Sequence, residues 1–239
     1  MPVDPNASIT ITAFDWVPDF AKGQVRDLRV RWALEEVGQD YAVRYLPQGQ
    51  QKEAAHRTLQ PFGQVPTYEE DGQALFESGA IVWHISERFP GLTPKSAAGK
   101  GLSLEWLFAA LNTIEPPIMD RAQATIFEAK DPWSAPRLPG IDERITERLQ
   151  EASDRLGTAD WFAGSFSAGD LMMVSVLRII EGEGLVEAFP NLADYVARSA
   201  ERPAFRQALN DHLAGFTGNP PPGFDAWMAE LQSHQGELT

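Results

Sequence analysis

The sequence predicts an α/β domain over residues 1–90 followed by an all-α domain over residues 102–239. Three observations carry that prediction. Apolar residues in the first part switch between a strand period and a helix period. Residues 90–101 (PGLTPKSAAGKG) are rich in Pro, Gly, Ser and Ala, so that 91–101 reads as a linker. Beyond the linker only helical spacing appears. A chain of 239 residues is long enough for two modest domains.

Taken in order, Ile9, Ile11 and Ala13 alternate with Thr10 and Thr12, which is a strand period. Val30, Ala33, Leu34 and Val37 make one helical stripe, and Gly38 is placed to end it. Tyr41, Val43 and Tyr45 alternate again as a second strand. A weak helix is expected within the polar residues 48–59. Residues 65–68 and 74–76 are short apolar runs around Asp71-Gly72, a strong hairpin signal. From Ser78 a helix runs to Phe89, with Ile81, Ile85 and Phe89 spaced by four. The first strand–helix–strand unit should be a right-handed parallel crossover. The hairpin adds an antiparallel edge to the same sheet, and this is the layout of a thioredoxin-like domain. Helical patterns follow at 102–129, 141–156, 168–182, 192–201 and 203–214. Asp131-Pro132, Pro136, Pro139-Gly140 and Gly182/Gly184 read as breaks. The tail after Gly215, with Pro220 to Pro222, is expected to pack loosely.

Composition excludes several classes of function. Net charge is −14, from 20 Lys+Arg against 34 Asp+Glu. Such a surface repels phosphate backbones, and Arg26, Arg29 and Arg31 are interleaved with Asp27, Glu35 and Glu36, so no nucleic-acid partner is expected. No apolar run, residues 171–174 included, approaches the ~18 residues that span a bilayer, so no membrane partner is expected. The N-terminus lacks the basic and apolar regions of a secretory signal. Cysteine is absent, which excludes disulfides, Cys-ligated metals and an enzyme thiol as nucleophile. A reducing cytoplasm is the expected compartment, and no metal site is expected.

Two short motifs carry binding chemistry. Phe62-Gly63-Gln64-Val65-Pro66 brings a proline to the start of a strand, where its missing N–H belongs at an edge or turn. In thioredoxin-like domains this proline follows a cis peptide, which turns the Val65 N–H and C=O towards a ligand backbone. The alternative is an ordinary trans-proline turn. Glu77-Ser78 stands where the last helix of the first domain begins. A helix N-terminus and a hydroxyl suit a carboxylate, and the Glu77 carboxylate suits an ammonium, so together they would hold an α-amino-acid head group. The alternative is a plain helix cap beside a solvated acid. Ser167-x-x-Asp170 is a capping-box variant, flanked by Phe166 and Leu171 as a hydrophobic staple. The helix that it starts is apolar all round and should be buried, so Asp170 is read as structural.

Together these motifs resemble the glutathione transferase family. The FGQVP segment followed by Glu77-Ser78 is similar to the family's glutathione site. Residues 161–170 (WFAGSFSAGD), Pro190-Asn191-Leu192, Arg198 and residues 201–205 (ERPAF) are similar to its helical domain, and residues 29–36 (RVRWALEE) to its first helix. The resemblance covers about residues 9–209. It implies glutathione as substrate, with Val65 and Pro66 beside its cysteinyl backbone and Glu77 and Ser78 holding the γ-glutamyl end. Gln64 would add a side-chain contact, and Lys52 would meet the glycyl carboxylate. It also implies a homodimer, and a hydrophobic electrophile as second substrate between the domains. Trp16, Phe20, Trp106, Phe108, Leu111 and Met119 are the expected walls of that acceptor pocket.

The sequence departs from the family at the group that activates the thiol. The usual Ser or Cys position falls on Gln24, and residues 14–31 contain no Ser, Thr, Tyr or Cys. Moving a free thiol down from about 8.5 by about two units takes about 2.7 kcal/mol. One hydrogen bond to a charged group supplies about 1.5–3 kcal/mol, and a helix N-terminus about 0.3–1. Main-chain amides near residues 24–26, assisted by Gln24 or Arg26, are therefore the expected catalytic groups. The missing hydroxyl also leaves open a glutathione-binding or scaffold protein without turnover, and the same thiolate would serve a glutathione-dependent peroxidase. Routes that need an active-site Cys, and the isomerase branch with its Ser-Ser-Cys loop, are not matched.

Overall fold

The computed structural model describes residues 3–235. Met1, Pro2 and residues 236–239, which belong to the two expected domains, lie outside the described residues. Strand β1 (Thr10–Phe14) is joined through helix α1 (Asp27–Glu36) to β2 (Ala42–Leu46). The two strands pair in parallel from Thr10 opposite Ala42 to Phe14 opposite Leu46. A single turn, α2 (Ala54–Arg57), follows a 3₁₀ turn at Gln50–Lys52 in the segment read as a weak helix. Then β3 (Thr67–Glu70) pairs antiparallel with β1, and β4 (Gln73–Phe76) antiparallel with β3, giving the sheet order β2-β1-β3-β4. Between β3 and β4, Asp71 and Gly72 take φ of 50° and 79°. Two successive left-handed residues are what a tight two-residue hairpin turn requires, and Gly72 meets that at little cost. Helix α3 (Ser78–Arg88) completes the thioredoxin-like α/β part.

The rest of the described chain is helical. Helix α4 (Ala97–Ala109) starts where Ser96 Oγ accepts the Gly99 N–H at 3.0 Å, so that residues 97–101, expected as linker, are its first turn. The pattern expected at 102–129 is one helical run interrupted twice. A π turn at Ala110–Ile114 leads into α5 (Glu115–Ala122), and a second at Gln123–Phe127 ends the run. Each π turn inserts a residue into the α register. Helix α6 (Ser134–Leu156) passes through Pro136 and Pro139-Gly140, which were expected to break it. Pro136 sits in the first turn, where N–H groups have no intrahelical partner, and Pro139 forgoes one bond. Helix α7 (Ala168–Leu177) passes into a 3₁₀ turn, Arg178–Ile180, and α8 (Pro190–Ala200) and α9 (Pro203–Ala214) follow. The tail is more ordered than expected, because it forms α10 (Phe224–Gln235) and Gly218 N–H donates to Asp15 O at 2.8 Å.

Helix α7 is the buried axis, with every residue except Ser175 shielded from solvent. Its start is a complete capping box, and Phe166 and Leu171 flank it inside the core. The α/β part is not independent of this core. Trp32 on α1 is fully buried, with Phe166 and Phe205 ring centroids at 5.6 and 4.8 Å. At the start of α3, a Cβ on Gly79 would come within 2.5 Å of Leu111 Cδ1, so that glycine lets the Leu111 side chain lie directly against the helix.

Candidate functional site

Strand register brings the two binding motifs together. Thr67 pairs with Phe76, so that Val65-Pro66 and Glu77-Ser78 flank the same end of the β3–β4 ladder. The Val65–Pro66 peptide is cis, as expected from the motif. Among the described residues neither the N–H nor the C=O of Val65 has a hydrogen-bond partner. Glu77 is exposed and holds φ 69°, a conformation that costs a non-glycine residue about 1–3 kcal/mol and is concentrated at functional positions. Ser78 is buried, and its Oγ accepts from Arg29 Nη1 at 3.3 Å. The hydroxyl proton of Ser78 is thereby left to donate outward.

Gln64 and Lys52 line the approach to this end of the sheet. Gln64 O lies 2.7 Å from His56 Nε2, and its Oε1 accepts from Gln60 Nε2 at 3.3 Å. Lys52 is exposed, and its Nζ donates to Phe62 O at 3.2 Å. The structure thus sets Lys52 along the segment that precedes Val65.

The start of α1 holds the residues expected to activate a thiol. Gln24 N–H is already used by Ala21 O, while the Val25 and Arg26 N–H groups have no partner among the described residues. The Gln24 side chain donates to Arg178 O at 2.9 Å, which ties it to the helical part. Arg26 is half-exposed and reaches Glu115 Oε1 at 2.9 Å. Arg29, one turn on, reaches the same Oε1 at 2.8 Å and is buried, with 4% of its side chain exposed. Glu115 itself is 6% exposed, and it sits at the start of α5 directly after the first π turn. Burial alone would raise its carboxyl, but the Arg29 and Arg26 guanidinia overcome that and hold it below the usual range. Burial in turn pulls Arg29 below its ordinary value, against the opposing Glu115 charge. Two guanidinia thus share one carboxylate, leaving the cluster with a net positive charge.

This cluster is the polar end of a cavity of about 350 Å³ between the two parts. Phe20, Gln24, Arg26 and Arg29 line it from one side and Glu115, Ile118, Met119, Ile126, Phe127 and Ile180 from the other. Phe20, Met119 and Phe127 are also exposed, so that an apolar rim surrounds the mouth. Arg121 at the far end is paired with Glu183 and Asp142.

Four of the expected acceptor walls lie elsewhere. Trp16 packs edge-on against Phe224 at 4.6 Å. Trp106 stacks on Phe162 at 4.0 Å, in the core of the helical part. Phe108 points to solvent, and Leu111 is pressed against Gly79. The reason is rotational: consecutive residues of one helix face different directions, and the stripe of α4 that carries Trp106 is turned towards α7. Arg29 and Glu115 were not singled out as site residues. The available signal was a lone acid, Glu115, between Ile114 and Ile118 on an inward stripe, followed by Pro116-Pro117 at a helix start. Among the described residues no group of His, Asp and Glu is placed to hold a metal ion, and no helix is long and apolar enough to cross a membrane.

The four-stranded sheet with its helices, followed by an all-helical part, defines a thioredoxin-like fold with an appended helical domain. Comparison with known proteins gives the same class. Residues 28–93 match the family model described as the glutathione S-transferase N-terminal domain. Glutathione S-transferase 4 of Zea mays is 28% identical over 192 residues, covering 74% of this chain and 83% of that protein. Human elongation factor 1-gamma is 30% identical over 169 residues, covering 63% of this chain and 35% of that protein. The crystal structure of a glutathione transferase family member from Pseudomonas fluorescens Pf-5, with two glutathione molecules bound, superposes with a TM-score of 0.75 at 20% identity. It covers 86% of this chain and 93% of that one. The chain is thus similar to glutathione transferases in sequence over its α/β part and in fold over most of its length.

Proposed function

We propose that this protein binds glutathione and conjugates it to hydrophobic electrophiles. The observation that carries the reading is the set of unpartnered donors at one end of the sheet: the Val65 N–H, the Ser78 hydroxyl proton, and the Val25 and Arg26 amides. Glutathione lies with its cysteinyl backbone along Val65-Pro66. Its γ-glutamyl carboxylate takes the Ser78 hydroxyl and the α3 N-terminus, where the Arg29 charge behind Ser78 favours an anion. The γ-glutamyl ammonium takes Glu77. Gln64 adds a side-chain contact, and Lys52 meets the glycyl carboxylate. The sulfur then faces the start of α1, where the Val25 and Arg26 amides and the Arg26 guanidinium favour the thiolate. Gln24 is the weaker assistant, because its amide nitrogen is engaged by Arg178 O.

The thiolate attacks an electrophilic carbon of an acceptor held in the cavity by Phe20, Met119 and the apolar residues of α5. A carbon–sulfur bond forms, and the leaving group departs with the displaced electron pair. In this reading residues 1–90 are the glutathione-binding domain, residues 91–101 the link and residues 102–239 the helical domain. The protein works as a cytoplasmic homodimer.

A second reading is favoured by one observation. The first turn of α1 offers no hydroxyl or thiol, so a glutathione-binding protein without turnover would keep the Ser78 end of the site. Retention on immobilised glutathione, combined with a conjugation assay on an aryl halide, separates the two. Retention with turnover is the expected result. Retention without turnover supports the binding protein, and failure of both overturns the glutathione site. Titration of bound glutathione adds a direct test. A thiol pKa still near its free value of about 8.5 would remove the thiolate mechanism.

A further inference from the structure

A buried histidine lies outside the site just described, yet it touches the loop that carries it. His212 on α9 is 1% exposed. Its Nε2 lies 3.2 Å from Gly23 N, and its Nδ1 lies 3.1 Å from Asp27 Oδ2. A main-chain amide can only donate, so Nε2 accepts from Gly23. The ring proton is therefore on Nδ1, donated to the Asp27 carboxylate. Arg31 Nε also donates to that carboxylate, at 2.8 Å. Arg31 already balances Asp27, Phe216 stands edge-on at 4.8 Å, and Asp211 beside His212 on α9 is held by Gln207.

The Gly23 segment is held from the other side as well. Arg178 Nη1 donates to Gly23 O at 3.3 Å, and Gln24 Nε2 returns a bond to Arg178 O. The helical part thus grips the peptide groups just before Val25 and Arg26 through two residues, His212 and Arg178.

We propose that His212 is a positioning residue for the reaction: by accepting the Gly23 amide, it fixes residues 23–26 so that the Val25 and Arg26 amides face the bound sulfur. This rests on the glutathione reading of the site. His212 touches neither the γ-glutamyl end nor the backbone subsite, so its effect falls on the state of the sulfur and not on affinity for the tripeptide.

Two substitutions separate positioning from packing. In His212→Asn the short amide can still donate to Asp27 from near the Nδ1 position but ends short of Gly23. In His212→Gln the longer carbonyl reaches the Nε2 position and accepts from Gly23. For His212→Asn we expect a loss of about tenfold in kcat, the scale of one hydrogen bond. KM for glutathione should be unchanged, and the pKa of the bound thiol should rise. His212→Gln should recover most of kcat. If both variants lose activity only in step with their melting temperatures, or if Asn is as active as Gln, the positioning role is overturned. Nitrogen-15 NMR of the wild-type ring and hydrogen exchange at the Gly23 amide read the anchor without turnover. A proton on Nε2, or an unprotected Gly23 amide, overturns it even in an active enzyme. A protected amide in a protein that neither binds nor conjugates glutathione leaves the anchor standing and removes the functional reading instead.

Discussion

Glu115 is the residue on which the most depends. It is a buried carboxylate shared by Arg26 and Arg29, and through Arg29 it reaches Ser78. Replacing it with Gln would leave the Arg29 guanidinium buried without its counter-charge. Glu115→Gln should therefore lower stability at neutral pH by about 3 kcal/mol, read by urea denaturation. The pH dependence follows from the sign of its shift. A carboxyl held below its usual range contributes stability above the unfolded-state value and loses it as pH falls through the lower folded-state value. The gap between wild type and variant should persist down to about pH 4 and close below it. A gap that closes near neutrality would refute the pairing. The cis Val65–Pro66 peptide and the helix start at Ser78 were legible in the sequence because each motif is local. Glu115 and His212 were not, because their partners lie 86 and 185 residues away and only the tertiary fold brings them together.

At the scale of elements, the start of α7 shows a motif that sequence reading identified but undervalued. Asp170 Oδ2 accepts from Ser167 N and Oγ at 3.0 and 2.8 Å, which is the expected capping box. Its Oδ1 also accepts from Phe162 N at 2.9 Å and from the Tyr195 hydroxyl at 3.0 Å, tying α7 to the preceding loop and to α8. Burial still raises its carboxyl above the usual value, despite these donors. A cap alone is worth about 0.5–2 kcal/mol. With two further buried donors orphaned, Asp170→Ala should cost roughly 3 kcal/mol, and Asp170→Asn, which keeps one acceptor oxygen, distinctly less. Thermal melting of the pair checks the order. Helix periods predicted α7 and α9 closely, because both are regular amphipathic or wholly apolar runs. They missed the two π turns, since one inserted residue shifts the register without leaving a compositional mark. Those turns matter here: the first directly precedes Glu115, and the second carries Ile126 and Phe127 into the cavity wall.

For the whole molecule, the change from α/β to helical structure after α3 is not a division in packing. Trp32 fills a space between Phe166 and Phe205, and Arg202 donates to both Glu36 oxygens at 2.6 and 2.7 Å while lying 3.8 Å over the Phe166 ring. An aromatic side chain buries about 150–250 Å² on folding, so separating the parts would expose much of what stabilises α1. The intact chain should unfold in one calorimetric transition, and residues 1–90 alone should lack a cooperative melt by circular dichroism. Two separate transitions would show the parts to be independent. Periodicity could place each α/β element, yet it carried no information on which face of α1 meets the helices, since α1 is buried on nearly all sides.

The chain's end returns across its beginning, and this has a practical consequence. Phe224 stands against Trp16, and Trp227 lies 6.5 Å from Phe20 on the rim of the cavity. The Trp227 indole therefore stands beside Phe20 at the cavity mouth. Its fluorescence is a built-in gauge of occupancy: quenching or a spectral displacement on adding a hydrophobic compound would time its arrival in the cavity without any attached dye.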